Sequence, residues 1–459
     1  MASHQQAFDE IRAVIGDRLS ERQPDREAHG QSETWHKAPP PDAVAFPETT
    51  DEISRILAIC NRHGVPVIGW GTGTSLEGHA LATHGGLVLD MMGMNRVLTV
   101  SPEDMLAVVQ PGVTREALNT ELRATGLFFP IDPGANASLG GMAATRASGT
   151  MAVRYGTMRD AVLALEVVLA DGTVIRTGTK AAKSSAGYDL TGLMVGSEGT
   201  LGIITELTLR LHGQPEDVAA AVCAFPTLED AVGCVAMTMQ AGIPMARIEF
   251  MDPVAMRAVN LYSGTDYPEA PHLMIEFNGA PESVRANAEA FGDIAAEFSG
   301  QGFQWASSPE DRRKLWEARH ASYWATLKLR PGATGVVTDV CVPMSELPGQ
   351  VAAAARDMEA AGILGDIVGH VGDGNFHTLL LIEPDNPEEL ARAKDVANAM
   401  ARRAIAVGGT VSGEHGIGIG KRGLMEEQHG AAWAVMGAVK AALDPNNILN
   451  PGKLVPDRS

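Results

Sequence analysis

The sequence predicts an α+β protein of two domains, and three observations support this prediction. The chain has 459 residues, of which 45% are hydrophobic and 20% charged, so it can bury the core of a globular protein. Its composition changes near Gly213-Gln-Pro-Glu216, after a first half that carries several glycine-rich tracts. Beyond that point strands alternate with helices, which indicates helices packed on one sheet.

In the first half, a helix is predicted over residues 5–20 because apolar side chains recur there at helical spacing. A second helix is capped by Thr49-Thr-Asp-Glu52 and ends at Gly64. The other elements predicted for this half are strands at 87–90, 97–100, 106–110 and 203–211 and a helix at 114–125.

The second half is predicted to alternate between the two kinds of element. The strands are 218–225, 246–251, 272–278, 334–343, 366–371 and 376–382. The helices are 227–241, 282–299, 309–329, 345–361 and 387–407.

Three tracts of small residues lie in the first half, at 69–78, 132–149 and 195–204. In the first, glycines alternate with hydroxyl residues, a composition that can turn backbone N–H groups inward to bind an anion. It lacks the G-x-G-x-x-G spacing of a Rossmann fold, and a strand follows it rather than a helix. Each tract alone is also compatible with an ordinary turn or loop. Together they favour a large dinucleotide ligand, because small side chains permit close backbone approach.

A candidate metal site lies in His370-Val-Gly-Asp-Gly-Asn-Phe-His377, between two apolar runs. Asp373-Gly374 predicts a two-residue hairpin turn, which would place His370 directly opposite His377. Directly opposed Cβ atoms are about 4.5–5.5 Å apart, so both imidazoles can reach one metal at about 2.1 Å. The alternative is a surface turn flanked by ordinary polar strand residues.

Gly413-Glu-His-Gly416 supplies the third metal ligand and a base in this interpretation. Glu414 joins His370 and His377, and three N/O ligands with open positions describe a catalytic metal rather than a structural one. His415 is then the base beside the metal. Imidazole and carboxylate suit Zn, Mn or Fe, among which the sequence does not choose.

Charge and composition exclude other classes of function. A net charge of −20 disfavours nucleic acid, whose binding requires clustered Lys and Arg. The four cysteines form no Cys-x-x-Cys pair and are expected to be free thiols in a reducing compartment. Neither a membrane-spanning run nor a signal peptide is predicted, so we expect a cytoplasmic protein that can still dock on a membrane surface.

The chain resembles a known family over nearly its full length. In the first half the matching motifs are Gly71-Thr-Gly-Thr74, Leu76-Glu-Gly78, Pro133-Gly-Ala-Asn-Ala-Ser138, Tyr155-Gly-Thr-Met-Arg-Asp160 and Gly196-Ser-Glu-Gly-Thr-Leu-Gly202. In the second half they are Trp316-Glu-Ala-Arg-His320, Thr338-Asp-Val-Cys-Val-Pro343, 369–377, Gly413-Glu-His-Gly-Ile-Gly418 and Asn450-Pro-Gly-Lys453. They resemble the FAD-dependent D-2-hydroxyacid dehydrogenases of the vanillyl-alcohol-oxidase type, above all the cytochrome-linked D-lactate dehydrogenases. The resemblance to the glycolate oxidase flavin subunit and to D-2-hydroxyglutarate dehydrogenases is looser.

The resemblance implies a p-cresol methylhydroxylase (PCMH)/vanillyl-alcohol-oxidase-type FAD domain at 1–213. It further implies an α+β substrate or cap domain with an antiparallel sheet at 214–420, which carries the metal site, and a C-terminal segment at 421–459 that returns to the FAD domain. The residues it places on FAD are Gly71, Thr72, Gly73, Thr74, Ser75, Leu76, Gly78, Pro133, Gly134, Ala137, Ser138, Gly140, Gly141, Ala144, Ser148, Gly149, Glu198, Gly199, Gly202, Ile203, Ile204 and Asn450. No His or Cys stands where flavinylated relatives attach the cofactor, so the resemblance implies non-covalent FAD.

The same resemblance implies the oxidation of D-lactate or a related D-2-hydroxyacid, with hydride transfer to the flavin. Arg319 would bind the substrate carboxylate, His415 would take the hydroxyl proton, and Asn375 would contact the substrate. Without the resemblance, Arg319 is interpreted as one partner of an ion pair on a helix surface, and Asn375 as a solvated turn residue. Arg146 stands where relatives usually have a small or amide residue, so its role is open between a phosphate and the electron acceptor.

The expected electron acceptor is a cytochrome, a quinone or an electron-transfer flavoprotein, and a homodimer is compatible with the sequence. Two rival functions are compatible with parts of the sequence. A metal-dependent hydrolase would use the His-His-Glu site on water and would be colourless. A non-catalytic flavin subunit would be yellow but would not react with any 2-hydroxyacid.

Overall fold

The computed structural model describes residues 4–306 and 308–457 in two compact units. The first unit comprises residues 4–148, 156–214 and 414–457. The second comprises 149–155 and Pro215–Gly413, apart from residue 307. In this division the second unit ends at Gly413, so Glu414 and His415 belong to the first unit.

The strands are, in chain order, β1 (Leu19–Ser20), β2 (Ala43–Ala45), β3 (Val67–Trp70), β4 (Leu87–Asp90), β5 (Val97–Ser101), β6 (Leu106–Val109), β7 (Leu127–Phe128), β8 (Val162–Val168), β9 (Val174–Gly178), β10 (Ile203–Arg210), β11 (His212–Gly213), β12 (Asp217–Ala224), β13 (Arg247–Met251), β14 (His272–Gly279), β15 (Gln301–Ala306), β16 (Thr334–Val337), β17 (Val340–Cys341), β18 (Gly365–Gly369) and β19 (Asn375–Ile382).

The α-helices are α1 (Gln5–Ile15), α2 (Gln23–Ala28), α3 (Thr50–His63), α4 (Arg115–Glu121), α5 (Leu139–Thr145), α6 (Ala152–Tyr155), α7 (Met158–Ala161), α8 (Leu190–Met194), α9 (Leu228–Gln240), α10 (Pro253–Ser263), α11 (Pro281–Glu297), α12 (Pro309–His320), α13 (Ser322–Leu327), α14 (Leu347–Ala361), α15 (Pro387–Ala406), α16 (Met425–His429) and α17 (Ala431–Leu443).

The first unit holds a four-stranded sheet in the order β1-β2-β4-β3 and a five-stranded sheet in the order β5-β6-β10-β8-β9. In the four-stranded sheet, β4 is parallel to both β2 and β3. Val67, Leu87 and Leu89 face one apolar core together with α1 and α3, while Ile68 and Val88 face another. These strands are apolar at nearly every position because both faces of the sheet are buried.

The second unit is built on a sheet in the order β15-β12-β14-β13-β18-β19-β16, whose pairs are all antiparallel. A core of Met251, Met274, Val222 and helix α10 lies against one part of it. This architecture places β13, β18 and β19 in the interior of the sheet, so polar side chains on these strands are enclosed by neighbours.

Most predicted elements are present, and the misses have physical causes. Helix α3 begins after the Thr49 N-cap, which accepts from Glu52 N–H, and ends at Gly64 in the left-handed conformation. The predicted helix at 309–329 is divided into α12 and α13. Helix α10, strand β15 and the short helix α5 inside the second small-residue tract were not predicted. Helix α5 was missed because it contains two adjacent glycines, and glycine has a low helix propensity.

All four cysteines are free thiols, as expected, and three of them are buried. Burial raises the pKa of Cys223 to about 11 and that of Cys234 to about 12, which disfavours the reactive thiolate form at neutral pH. Among the described residues, no helix combines the length and apolar character needed to cross a membrane.

Candidate functional site

The predicted hairpin exists, but its register differs from the prediction. Val368, not His370, lies opposite His377 in the β18–β19 pair. The turn is longer than two residues and includes a 3₁₀ turn over Val371–Asp373, followed by Gly374 at φ +77°. A Cβ at Gly374 would lie 2.1 Å from the Val342 carbonyl oxygen, so the turn requires glycine. The prediction that His370 and His377 are directly opposed is therefore wrong.

The two imidazoles nevertheless share one face of the sheet. The register is displaced by two residues, and a displacement by two keeps side chains on the same face, whereas a displacement by one would reverse it. The ring centroids of His370 and His377 are 5.3 Å apart at an interplanar angle of 78°. Both residues are buried. The two histidines are therefore enclosed by the protein and do not flank an exposed turn.

His370 is oriented by a residue that sequence reasoning missed. Its Nδ1 lies 2.7 Å from Glu249 Oε1 on β13. The pairing of Phe250 with Gly369 continues by one step to bring Glu249 opposite His370. The only sequence signal for Glu249 is a charged residue in an otherwise apolar strand, Ile248-Glu-Phe-Met251.

His377 has a carboxylate in the equivalent position. Its Nδ1 lies 3.5 Å from Asp339 Oδ1. Asp339 also accepts from Asn375 Nδ2 at 2.8 Å and from Ser412 Oγ at 2.7 Å, which fixes the carboxylate. A Cβ on Gly413 would lie 3.1 Å from Asp339 Oδ1, so the backbone that leads to Glu414 runs past this carboxylate.

This pair of histidines fits a divalent cation. Metal-binding histidines commonly direct one ring nitrogen to a carboxylate, which fixes the ring and leaves the other nitrogen for the metal. Here Nδ1 of His370 and Nδ1 of His377 both face buried carboxylates. The Nε2 atoms of His370 and His377 are therefore the candidate metal donors, and two imidazole donors suit Zn, Mn or Fe.

Arg319, the predicted substrate arginine, is buried rather than on a helix surface. Its Nε and Nη2 lie 2.9 Å and 2.7 Å from Glu249 Oε2, and Nη1 donates to Ser322 Oγ at 3.3 Å. Burial would raise the pKa of Glu249, but the charges of His370 and Arg319 and their hydrogen bonds hold it below its usual range. Glu249 is thus a buried carboxylate shared by His370 and Arg319.

Asn375 is also buried, so the alternative of a solvated turn residue is wrong. Its amide nitrogen donates to Asp339 Oδ1 and to the Val340 carbonyl oxygen, both at 2.8 Å. Both amide hydrogens are used in this way. A contact of Asn375 with the substrate would therefore be made by the amide oxygen.

Two further buried carboxyl groups lie in the second unit. Burial raises the pKa of Asp366 to about 6, against the lowering effect of hydrogen bonds from Thr326 and from Leu379 N–H and of the charge on Arg319. Burial and the proximity of Asp366 raise the pKa of Asp252 well above its usual range. Sequence reasoning assigned no role to either residue.

The segment that carries Glu414 and His415 is held inside the first unit by Glu198. Oε1 of Glu198 accepts from Ile417 N–H at 2.7 Å, and Oε2 accepts from Gly418 N–H at 2.9 Å. His79 Nε2 lies 3.3 Å from Oε1. Burial would raise the pKa of Glu198, but His79 and the two backbone N–H groups lower it. The Glu198 side chain therefore fixes the backbone just beyond His415.

The first glycine tract packs against the second within the same unit. A Cβ at Gly71 would lie 2.2 Å from Ser138 Oγ, so the loop after β3 and the start of α5 are in close contact. The Ser75 hydroxyl is buried and has no hydrogen-bond partner among the described residues. This loop fits the pyrophosphate predicted for it, because the hydroxyl is available to an acceptor oxygen.

The predicted FAD residues do not all have the same surroundings. Asn450 is buried, and its amide nitrogen donates to the carbonyl oxygens of His79 and Glu198. Ile203 and Ile204 contribute to two hydrophobic cores. Gly149 belongs to the second unit.

The unusual Arg146 is accounted for within the first unit. It caps helix α5 at φ +57°, and its guanidinium donates to the Val195 carbonyl oxygen from Nε at 3.2 Å and from Nη2 at 2.8 Å. Burial lowers the pKa of Arg146. Its contact with Val195 joins the second small-residue tract to the third.

Comparison with known proteins gives consistent matches over nearly the whole chain. Residues 214–454 match the family described as FAD linked oxidases, C-terminal domain, and residues 41–178 match the FAD binding domain. The chain is 47% identical to "Probable D-lactate dehydrogenase, mitochondrial" of Danio rerio, over 99% of this chain and 92% of that protein. It is 44% identical to "D-lactate dehydrogenase [cytochrome], mitochondrial" of Arabidopsis thaliana, over 97% of this chain and 79% of that protein.

Solved structures show the same fold at low sequence identity. p-Cresol methylhydroxylase with substrate bound has a TM-score of 0.81 at 20% identity, covering 99% of this chain and 97% of its own. The 4-ethylphenol oxidase from Gulosibacter chungangensis has a TM-score of 0.79 at 20% identity, covering 98% and 97%. These likenesses confirm the predicted PCMH/vanillyl-alcohol-oxidase-type fold.

Proposed function

This chain belongs to the FAD-linked oxidases, and on that premise we propose that it oxidises D-lactate or a related D-2-hydroxyacid with the help of a divalent metal. The observation that carries the proposal is the pair of carboxylate-backed imidazoles in the same unit as the buried Arg319. The family membership confirms the resemblance read from the sequence and argues against the metal-dependent hydrolase.

FAD binding is assigned to the first unit. In this proposal the loop 71–78 holds the pyrophosphate, with the Ser75 hydroxyl as one donor. Residues 133–149 and 198–204 line the rest of the cofactor, and Asn450 approaches the ring. The flavin, when bound, supplies the hydride acceptor.

The proposed metal ligands are His370, His377 and Glu414. Glu414 is the third ligand in this proposal because the motif Gly413-Glu-His-Gly416 supplies a carboxylate beside the proposed base. A divalent cation, when bound, supplies a Lewis acid that acidifies the substrate hydroxyl.

The remaining roles belong to charged side chains. Arg319 orients the substrate through its carboxylate, for which a guanidinium is the matching cation. His415 accepts the hydroxyl proton as the hydride departs, and positioned general bases contribute about 10²–10⁴ in rate. Asn375 fixes Asp339 and can present its amide oxygen to the substrate.

A cytochrome is the proposed electron acceptor, because the Arabidopsis relative is named a cytochrome D-lactate dehydrogenase. A quinone or an electron-transfer flavoprotein is the alternative, and a cytoplasmic or membrane-peripheral location and a homodimer remain proposals. Glycolate is the second candidate substrate, since the chain is 38% identical to "Glycolate oxidase subunit GlcD" of Bacillus subtilis over 90% of this chain. D-2-Hydroxyglutarate is a third.

Anaerobic bleaching of the flavin tests the proposed function directly. The purified protein is mixed with D-lactate, D-2-hydroxyglutarate, glycolate or the L-isomers, and absorbance near 450 nm is followed. We expect rapid loss of absorbance with one D-2-hydroxyacid and little with its L-isomer. A yellow protein that no 2-hydroxyacid bleaches would instead be the non-catalytic flavin subunit.

A further inference from the structure

We propose that Glu249 is a positioning residue that aligns the metal ligand His370 and the substrate cation Arg319 with a single carboxylate. The inference rests on the proposed function and adds to it a residue that neither the sequence motifs nor the family comparison singles out. Glu249 is completely buried in β13, between strands β14 and β18.

The placement of a charge at this position needs an explanation. The adjacent residues Ile248, Phe250 and Met251 are buried and apolar. An isolated carboxylate in such surroundings costs several kcal/mol, and well-packed apolar residues often stabilise a core better than a buried ion pair. A buried charged cluster is therefore better explained by the geometry that it imposes than by stability.

The two oxygens of Glu249 serve different partners. Oε1 lies 2.7 Å from His370 Nδ1, so this contact holds the ring by its Nδ1 side and sets the direction in which Nε2 points. Oε2 receives Nε and Nη2 of Arg319 at 2.9 Å and 2.7 Å. The Nη1–Nη2 edge of the guanidinium is then the edge that can bind a substrate carboxylate bidentately.

The fold makes this arrangement rigid. Antiparallel pairing of Phe250 with Gly369 sets Glu249 opposite His370 at the end of β18. Arg319 reaches the same carboxylate from the last turn of α12. One side chain thus ties the sheet, the metal-binding turn and the helix into one geometry, so that the metal and the substrate cation are aligned together.

Glu249→Gln is the informative variant. Glutamine has one acceptor oxygen, and its amide NH₂ must face either His370 or Arg319, both of which are donors. In the flavin-loaded, metal-stripped protein, we expect the dissociation constant for Mn²⁺ or Zn²⁺, measured by titration calorimetry, to rise by about 10–100-fold. We also expect the KM for the hydroxyacid to rise, while the bound FAD content stays unchanged.

Glu276→Gln is the matched control. Glu276 is a buried glutamate on the neighbouring strand β14 that accepts from Trp316 Nε1 at 2.7 Å. If Glu249 had only a structural role, the two variants would show equal changes in metal affinity. Equal effects, or a Glu249→Gln variant with the metal affinity of the wild type, would overturn the proposal.

The Arg319→Met background separates the two functions of Glu249. Adding Glu249→Gln to it should lower metal affinity further but raise KM no more, because the route through Arg319 has already been removed. Glu249→Asp keeps both accepting oxygens and is expected to retain more metal affinity than Glu249→Gln; it replaces the glutamine variant in the test if that variant does not fold.

A wild-type protein that binds no metal and is not bleached by hydroxyacids would refute the proposed function itself. A wild-type protein that binds metal and is bleached, with variants of unchanged metal affinity and KM, would refute only the role of Glu249.

Discussion

Replacing Glu198 by glutamine is predicted to release the backbone segment that follows His415. In the wild type, each carboxylate oxygen accepts one backbone N–H, from Ile417 and from Gly418. Glutamine offers one oxygen, so one of these N–H groups would face an amide NH₂ instead of an acceptor. The perturbation is local, because it removes no apolar contact and nearly conserves the side-chain volume.

The magnitude follows from the two contacts. A hydrogen bond to a charged group contributes about 1.5–3 kcal/mol, and a buried donor without an acceptor costs about 1–3 kcal/mol. Since one contact survives in weakened form, we expect the local opening free energy to fall by about 2–4 kcal/mol. At about 1.4 kcal/mol per factor of ten, amide protection at Ile417 and Gly418 should fall by about 30- to 1,000-fold.

Hydrogen exchange read by mass spectrometry on peptides covering 414–420 measures this change directly. A global unfolding experiment would be less informative, because a chain with two compact units need not unfold in two states. Glu206→Gln is the control: Glu206 lies on β10 of the same unit and pairs with Arg176, whose side chain is 66% exposed, at 2.9 Å. Such a pair contributes about 0–1 kcal/mol and does not touch the segment.

Turnover and FAD content complete the experiment. We expect the Glu198→Gln variant to retain FAD and to lose turnover, because the segment positions Glu414 and His415. Unchanged amide protection at Ile417 and Gly418 would refute the reasoning. Loss of FAD with intact protection would show that Glu198 acts on the cofactor, as the family resemblance implied, and not on the segment.

Three further predictions concern other parts of the protein. His377→Ala should abolish metal binding and turnover while FAD remains bound; metal analysis and the flavin spectrum check this, and flavin loss would show that the residue is misplaced. The pKa of Asp366 is raised from 3.8 to about 6 in the folded state. Between about pH 4 and pH 6 the folded protein therefore keeps a proton that the unfolded chain has released. The free energy of unfolding should fall by about 3 kcal/mol as the pH rises through this range. Asp366→Asn should remove this decline. The opening free energy of amides in β18 and β19, taken from hydrogen exchange between pH 4 and pH 8 after correction for the intrinsic exchange rate, measures it, and parallel pH profiles of the two proteins would contradict the assignment. Gly71→Ala should weaken FAD binding, because the new Cβ would lie 2.2 Å from Ser138 Oγ. Adding Ser138→Ala should restore part of the affinity. Gly213→Ala is the control, because it lies in the same unit outside the three tracts and its Cβ would meet no described atom within 4 Å, so it should have little effect on FAD content.

Local patterns in the sequence were sufficient for much of the fold. The Thr49 cap and Gly64 delimit α3 because capping and termination depend on residues within a few positions of the helix end. His370 and His377 share a face because the observed register differs from the predicted one by two residues, and an even displacement preserves the face. The sequence therefore supplied both imidazoles and the hairpin, and the register of the folded hairpin placed the two rings on one face.

The partners of those imidazoles could be known only from the tertiary structure. Glu249 is 121 residues from His370 in the chain, and Asp339 is 38 residues from His377; strand pairing, which no local pattern encodes, brings each pair together. The burial of Arg319 likewise depends on the sheet beneath α12, so its helical pattern misleadingly indicated a surface ion pair. The sequence by itself determined which chemical groups are present and which of them a hairpin brings close together. The tertiary structure decided which carboxylates orient them, because hydrogen bonds between distant strands exist only after the chain has folded.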